Sequence, residues 1–196
     1  SAFGASAGVY THKKKGVKVT FDMTDYVVQA VDHYKCLAGI NQMKHVTTPF
    51  CPEGSLHPDN DEVRGELAGS ATSILMKDLW AARLARPDFI RPVGKLASKV
   101  CNWSRNDDRR LKRLMEYMNT THGHKLCGFI CDCADDLELW MFCDADLAGE
   151  ADNTRSTNGA FLVLIGPSSW MPLSWLCCKQ TSTSHSTTEA ESVSLV

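Results

Sequence analysis

The sequence predicts an α+β fold in which helices come first and strands later. Two patterns and one charge contrast carry that expectation. Apolar residues recur at helical spacing between about residues 24 and 119, and they alternate at strand spacing after Gly123. The charge changes with the pattern. Residues 1–125 hold 19 Lys and Arg against 13 Asp and Glu, a balance of +6, and residues 126–196 hold 2 against 10, a balance of −8. The overall net charge of −2 is therefore an average over two unlike parts, one suited to a polyanion and one to a cation.

The elements follow in chain order. Val17, Val19 and Phe21 alternate with Lys18 and Thr20, which predicts a half-buried strand. Asp22 or Thr24 then caps a helix that places Val27, Val31 and Tyr34 on one side, and Gly39 ends it in the left-handed conformation. Pro49, Pro52, Gly54 and Pro58 mark a loop. The spacing of Val63, Leu67, Ile74 and Leu75 predicts a second helix over 61–84, interrupted before Pro87. A third helix carries Val93, Leu96 and Val100. A fourth, over 107–119, turns Leu111, Leu114, Met115 and Met118 inward and leaves Arg109, Arg110, Lys112 and Arg113 mostly outward. Strands then follow at Leu137 to Asp144, Gly159 to Ile165 and Trp170 to Cys178, with links short enough for an antiparallel meander. Ser186 with Glu189 forms a capping box, so a helix starts there and Glu191 lies in its first turn.

Several classes are excluded. The longest clean apolar run, Phe161 to Ile165, is far short of the ~20 residues a bilayer helix needs, so no membrane partner is expected. Ser1 to Tyr10 has no secretory signal pattern, and nine cysteines, an odd number with Cys177 beside Cys178, do not form a disulfide framework. Free thiols and an intracellular location, cytoplasm or nucleus, are expected. The sequons at Asn102 and Asn119 are then chance matches. A start at Ser1 without methionine and a stop at Val196 inside a newly begun helix read as the ends of a fragment.

Asp144-Ala145-Asp146 ends an apolar strand and Glu191 opens the helix after the meander. Carboxylates so placed suit hard divalent cations, a pair of which ~3.5–4 Å apart clamps a phosphodiester and activates water. Turn chemistry for Asp-Ala-Asp and a helix-dipole role for Glu191 account for the same residues.

Here a family resemblance enters. Asp144-Ala145-Asp146-Leu147-Ala148-Gly149, Arg155-Ser156-Thr157-Asn158-Gly159, Ser174-Trp175, Lys179-Gln180 and Ser186-Thr187-Thr188-Glu189-Ala190-Glu191 resemble, in order and spacing, the ribonuclease H region of copia-type retrotransposon Pol polyproteins. Leu147 stands where that family has Trp. Upstream, Thr48-Pro49, Glu66-Leu67-Ala68-Gly69-Ser70, Arg86-Pro87-Asp88 and His122-Gly123 resemble the end of its reverse transcriptase and the connector. The resemblance implies a helical thumb or connection-like segment over 1–125 and a truncated ribonuclease H-like domain over 126–196. It implies two-metal hydrolysis of the RNA strand of an RNA:DNA hybrid, with Asp144 and Glu191 as Mg²⁺ ligands, Asp146 and Glu189 as poorer candidates, and the remainder of the Pol polyprotein as partner. The family's later carboxylates lie beyond Val196 and no Tyr-x-Asp-Asp polymerase motif is present, so the chain alone is expected neither to polymerise nor to cleave.

Lys13 to Lys15, Arg105, Arg109, Arg110, Lys112 and Arg113 are candidate phosphate contacts, with a merely solvated helix face as the alternative. Two rival readings remain. One is a zinc-binding module using His122, His124, Cys127, Cys131, Cys133 and Cys143, though their spacing matches no Cys-x-x-Cys knuckle. The other is a noncatalytic nucleic-acid-binding relic. Ser184-His185-Ser186 lacks the context of a serine hydrolase nucleophile.

Overall fold

A computed structural model describes residues 15–146 and 157–179. The fold is α+β. Strand β1 (Val17–Phe21) leads into α1 (Thr24–Ala38), and α2 (Ala71–Leu84), α3 (Ile90–Ala97) and α4 (Arg105–Thr120) follow a long loop. Strands β2 (Leu126–Ile130), β3 (Glu138–Asp146), β4 (Thr157–Gly166) and β5 (Ser169–Lys179) complete an antiparallel sheet of order β1-β2-β5-β4-β3.

The meander expected from the alternation is present as β3-β4-β5. The sequence pattern missed β2, a short strand with Gly128 at its centre and little alternation. β2 pairs along its whole length with β1 and joins β5 through Phe129 and Trp170, so one sheet runs through the point where the charge changes sign. Lys125 reinforces the join. Its ammonium lies 2.6 Å from Asp22, and together with the Thr24 side chain and amide it holds the Asp22 carboxyl well below the usual carboxylate range.

The helices pack around one apolar cluster. Val27, Ala30, Val31 and Tyr34 of α1 meet Ile74, Leu75, Ala81 and Ala82 of α2, Val93 and Leu96 of α3, and Leu111, Leu114, Met115 and Met118 of α4. Gly39 ends α1 with φ of 64°, as its sequence position predicts. α4 begins two residues earlier than its periodicity indicated, because Ser104 caps it. The Ser104 hydroxyl accepts from Asp107 N, while the Asp107 carboxylate accepts from Ser104 N, a capping box with Asp in place of the usual Glu or Gln.

The second helix is a correction. Helical structure over 61–84 was expected, but α2 starts only at Ala71. Residues 63–65 instead run beside 103–105: Gly65 N donates to Trp103 O at 3.0 Å and Arg105 N to Val63 O at 2.8 Å. A Cβ at Gly65 would lie 2.5 Å from the Ser104 carbonyl oxygen, so only glycine permits this approach. Asp108 secures the next two residues by accepting from Glu66 N at 2.7 Å and Leu67 N at 3.2 Å, and it also accepts from Trp103 Nε1 at 2.7 Å. Tertiary hydrogen bonds replace the helical ones that apolar spacing alone anticipates.

Asp78 occupies the buried stripe of α2, where periodicity calls for an apolar side chain. It is fully buried, and neither carboxylate oxygen has a hydrogen-bond partner among the described residues. Burial pushes its carboxyl up to about 8, opposed only by Lys77. Below the ordinary value of 3.8 both folded and unfolded chains are protonated. As pH rises the unfolded chain releases this proton first, so this group lowers stability progressively up to about pH 8 and no further above it. Denaturant unfolding across this pH window should show that decline, and Asp78→Leu should flatten it and raise stability most at the alkaline end.

Candidate functional site

Asp144 sits near the end of β3, and strand register decides which way it faces. Directly paired residues of an antiparallel sheet project to one face. Asp144 pairs with Gly159, which pairs with Cys177; two positions along, Phe142 pairs with Phe161, which pairs with Trp175. Trp175 Nε1 donates to the carbonyl oxygen of Ala82 at 2.7 Å. That contact marks this face as the one carrying the helices, so Asp144 lies on the helix-bearing face. The aromatic row Trp140, Phe142, Trp170, Phe161 and Trp175, with neighbouring rings 6.0–6.5 Å apart, occupies the same face.

Asp144 is exposed. Its neighbour Gly159 has no side chain, and a Cβ built there meets nothing nearer than the Asp144 carbonyl oxygen at 3.9 Å. No side chain among the described residues lies within 4 Å of that position. Glu191, Glu189 and Ser186 lie outside the described residues, as do the side chain of Asp146 and Lys13 and Lys14. The described residues place one carboxylate at this point and do not bring a second to it. Among them, no group of three His, Cys, Asp or Glu side chains is arranged to hold a metal ion. That statement covers all six candidate zinc ligands. His122 Nδ1 instead lies 2.7 Å from Asn119 O, Cys131 Sγ donates to Ser168 O at 3.1 Å, and Cys127 Sγ lies 3.7 Å from Thr20 Oγ1. All nine cysteines are free thiols.

The five basic residues of α4 separate into two sets that spacing treats alike. Arg105, Arg109 and Lys112 stand at i, i+4 and i+7, all exposed, and line an open groove of ≈ 350 Å³ together with Leu37, Ile40 and Leu67 and the acidic Glu66 and Asp108. Arg105 has Glu66 3.7 Å away. Arg110 and Arg113 hold the chain's own loops. Arg110 Nη1 lies 2.7 Å from Asp107 Oδ1 and 3.7 Å from Asp61, and Arg113 donates through Nε to Thr48 O and through Nη2 to Thr48 Oγ1, both at 2.9 Å. The Thr48-Pro49 motif is thus an anchor for the proline-rich loop.

The Arg86-Pro87-Asp88 triplet also acquires a structural role that its residue types alone did not assign. Arg86 is buried; it donates through Nε and Nη2 to the Asp88 carboxylate at 3.0 and 2.7 Å, and through Nη1 and Nη2 to Thr121 O and Oγ1 at 2.9 and 2.7 Å. Its guanidinium lies 3.9 Å from the Phe89 ring centroid.

With fold and site in place, comparison with known proteins gives the class. The chain is 32% identical over 155 residues to the retrovirus-related Pol polyprotein from transposon RE1 of Arabidopsis thaliana, covering 76% of this chain and 10% of that protein. It is 27% identical over 182 residues to the corresponding polyprotein from transposon TNT 1-94 of Nicotiana tabacum, covering 89% of this chain and 13% of that protein. The chain therefore spans about a tenth of the length of the Pol polyproteins it matches. A shorter relative, Secreted RxLR effector protein 161 of Plasmopara viticola, is 30% identical over 112 residues, 57% of this chain and 74% of that protein. The chain belongs to one sequence family with that protein, and it is homologous to a segment of the retrovirus-related Pol polyproteins from transposons. No protein-family profile matches it, and no solved structure does.

The Trp175 contact joins the sheet that carries Asp144 to α2. Trp175→Phe keeps a ring in the aromatic row but removes the donor to Ala82, and should cost about 1 kcal/mol in urea unfolding.

Proposed function

We propose that this chain is a segment of a copia-type retrotransposon polyprotein, with the C-terminal end of reverse transcriptase over 1–125 and a ribonuclease H-like region over 126–196. The parent would hydrolyse the RNA strand of RNA:DNA hybrids with two Mg²⁺ ions. The observation that carries this reading is the homology to Pol polyproteins over most of the chain, which includes the antiparallel β3-β4-β5 meander bearing Asp144. The ions, when bound, would polarise the scissile phosphate and supply a hydroxide nucleophile. Asp144 would furnish a hard oxygen ligand from the helix-bearing face of the sheet, and Glu191 would furnish another. The copia-type family uses later carboxylates as well, so Asp144 and Glu191 by themselves would not complete a two-metal site. The remainder of the Pol polyprotein is the proposed partner and the source of the missing ligands.

A second reading has its own support. The chain covers three quarters of Secreted RxLR effector protein 161, so the same stretch makes up most of a short protein. A noncatalytic use, binding nucleic acid without cutting it, follows if this chain acts outside a polyprotein.

The purified chain with Mg²⁺ and an RNA:DNA hybrid should show no cleavage; robust cleavage would sink the incomplete-site reading. Extending the chain with the downstream Pol sequence should bring Mg²⁺-dependent cleavage of the RNA strand, and Asp144→Asn should abolish it. Activity that survives this substitution would remove Asp144 from the metal site.

For hybrid binding, the Arg105→Gln, Arg109→Gln, Lys112→Gln triple variant should lower the slope of log affinity against log salt by about 0.9 for every phosphate no longer neutralised. Arg113→Gln should act mainly on folding stability, because it frees the Thr48 anchor.

A further inference from the structure

We propose that copies of this chain join head to tail through their sheets, the free edge of β1 in one copy pairing as a parallel strand with the free edge of β3 in the next. The inference is independent of the ribonuclease H reading above. Among the described residues β1 pairs only with β2 and β3 only with β4, so each end of the order β1-β2-β5-β4-β3 leaves a line of backbone N–H and C=O groups without a ladder partner. Such edges recruit further strands unless something blunts them. β3 is nine residues long, and every residue from Glu138 to Phe142 is exposed. Val17, Lys18 and Thr20 of β1 are exposed as well.

The two edges fit each other in direction, face and charge. Each successive pair of strands is antiparallel, so β1 and β3, at opposite ends of the order, run the same way. A second copy that continues the sheet with the same face up therefore offers a parallel strand. One row of directly paired residues crosses the whole sheet: Lys18 with Phe129, Phe129 with Trp170, Trp170 with Ile165, and Ile165 with Glu138. That row starts on a cation and ends on a carboxylate. A copy added along it sets its Lys18 beside Glu138, with the exposed Trp140 two residues on and available to a cation on the same face. Glu138 already accepts from Trp140 Nε1 at 2.8 Å, and a carboxylate has lone pairs left for an ammonium. On the other face Val17 and Val19 would lie beside Leu139 and Met141, which are 62% and 55% exposed.

Charge also selects against other pairings of the same edges. A two-fold pairing of β3 with itself centred on Met141 sets Glu138 opposite Asp144, and a pairing of β1 with itself centred on Lys18 sets two ammonium groups side by side. Only the unlike edges join without setting like charges opposite each other. Contact between two different patches is heterologous, and it grows into an open chain of copies when the rotation between them does not close a ring.

Sedimentation velocity on the whole chain over the micromolar range should show a mass that rises with concentration past the dimer and falls as salt screens the ion pair. Lys18→Glu should weaken the association constant by about tenfold, and Glu138→Lys added to the same chain should restore it, because the pair is then reversed. Met141→Lys alters an exposed edge position, so it should leave the circular dichroism spectrum and thermal midpoint unchanged while holding the chain monomeric. A chain that is monomeric throughout that range would overturn the proposal. Association that stops at the dimer, or that Lys18→Glu leaves undiminished, would overturn it in favour of β3 self-pairing or face-to-face packing of two sheets. Weakening by Lys18→Glu without rescue in the double variant would remove the Lys18 to Glu138 pairing, and the head-to-tail arrangement with it.

Discussion

The buried Arg86 is the constraint on which the helical part and, through it, the sheet depend. A guanidinium stays charged in the interior, so burying it is tolerable only if its donors find acceptors. Here they find the Asp88 carboxylate and both oxygens of Thr121. Satisfying one side chain thereby fixes the end of α2, the turn at Pro87 and the end of α4 relative to one another. Tyr117 adds to the same knot by donating to Asp88 at 3.0 Å and by packing edge-on against Phe89. One turn before Arg86, the Ala82 carbonyl receives Trp175. The sheet is attached to the part of α2 that the arginine holds most firmly.

The other end of α4 works by the same chemistry with opposite sign. Two carboxylates in the first turn, Asp107 and Asp108, are favoured there by the helix dipole, and each is spent on the protein's own backbone. Asp107 closes the capping box and Asp108 holds Glu66, Leu67 and Trp103. α4 is therefore a spine with polar locks at both ends and an apolar stripe between them. Its outward residues are divided by what lies opposite: Arg110 and Arg113 face loops with acceptors to offer, whereas Arg105, Arg109 and Lys112 face an open groove.

Charge segregation along the chain does not become segregation in space. β1, from the basic part, pairs with β2, from the acidic part, and α3 stands beside the end of β5. Elements of the basic part and elements of the acidic part thus share one sheet and one groove. The opposite sheet face has a different character: Leu139, Met141 and Leu176 project from it, each at least half exposed.

Residue order alone determined the elements whose signals are local. α1 with its Gly39 cap, the inward stripe of α4 and the β3-β4-β5 meander were legible because periodicity and capping act within a few residues. Asp144 was legible as a carboxylate near a strand end, though not the face it occupies. Only the tertiary structure decided that residues 62–70 forgo a helix for hydrogen bonds with Trp103, Arg105 and Asp108, that Gly128 lies inside a strand, and that five similar basic residues have two different surroundings. Each of these depends on a partner tens of residues away, and no local periodicity encodes what a side chain will meet across such a distance.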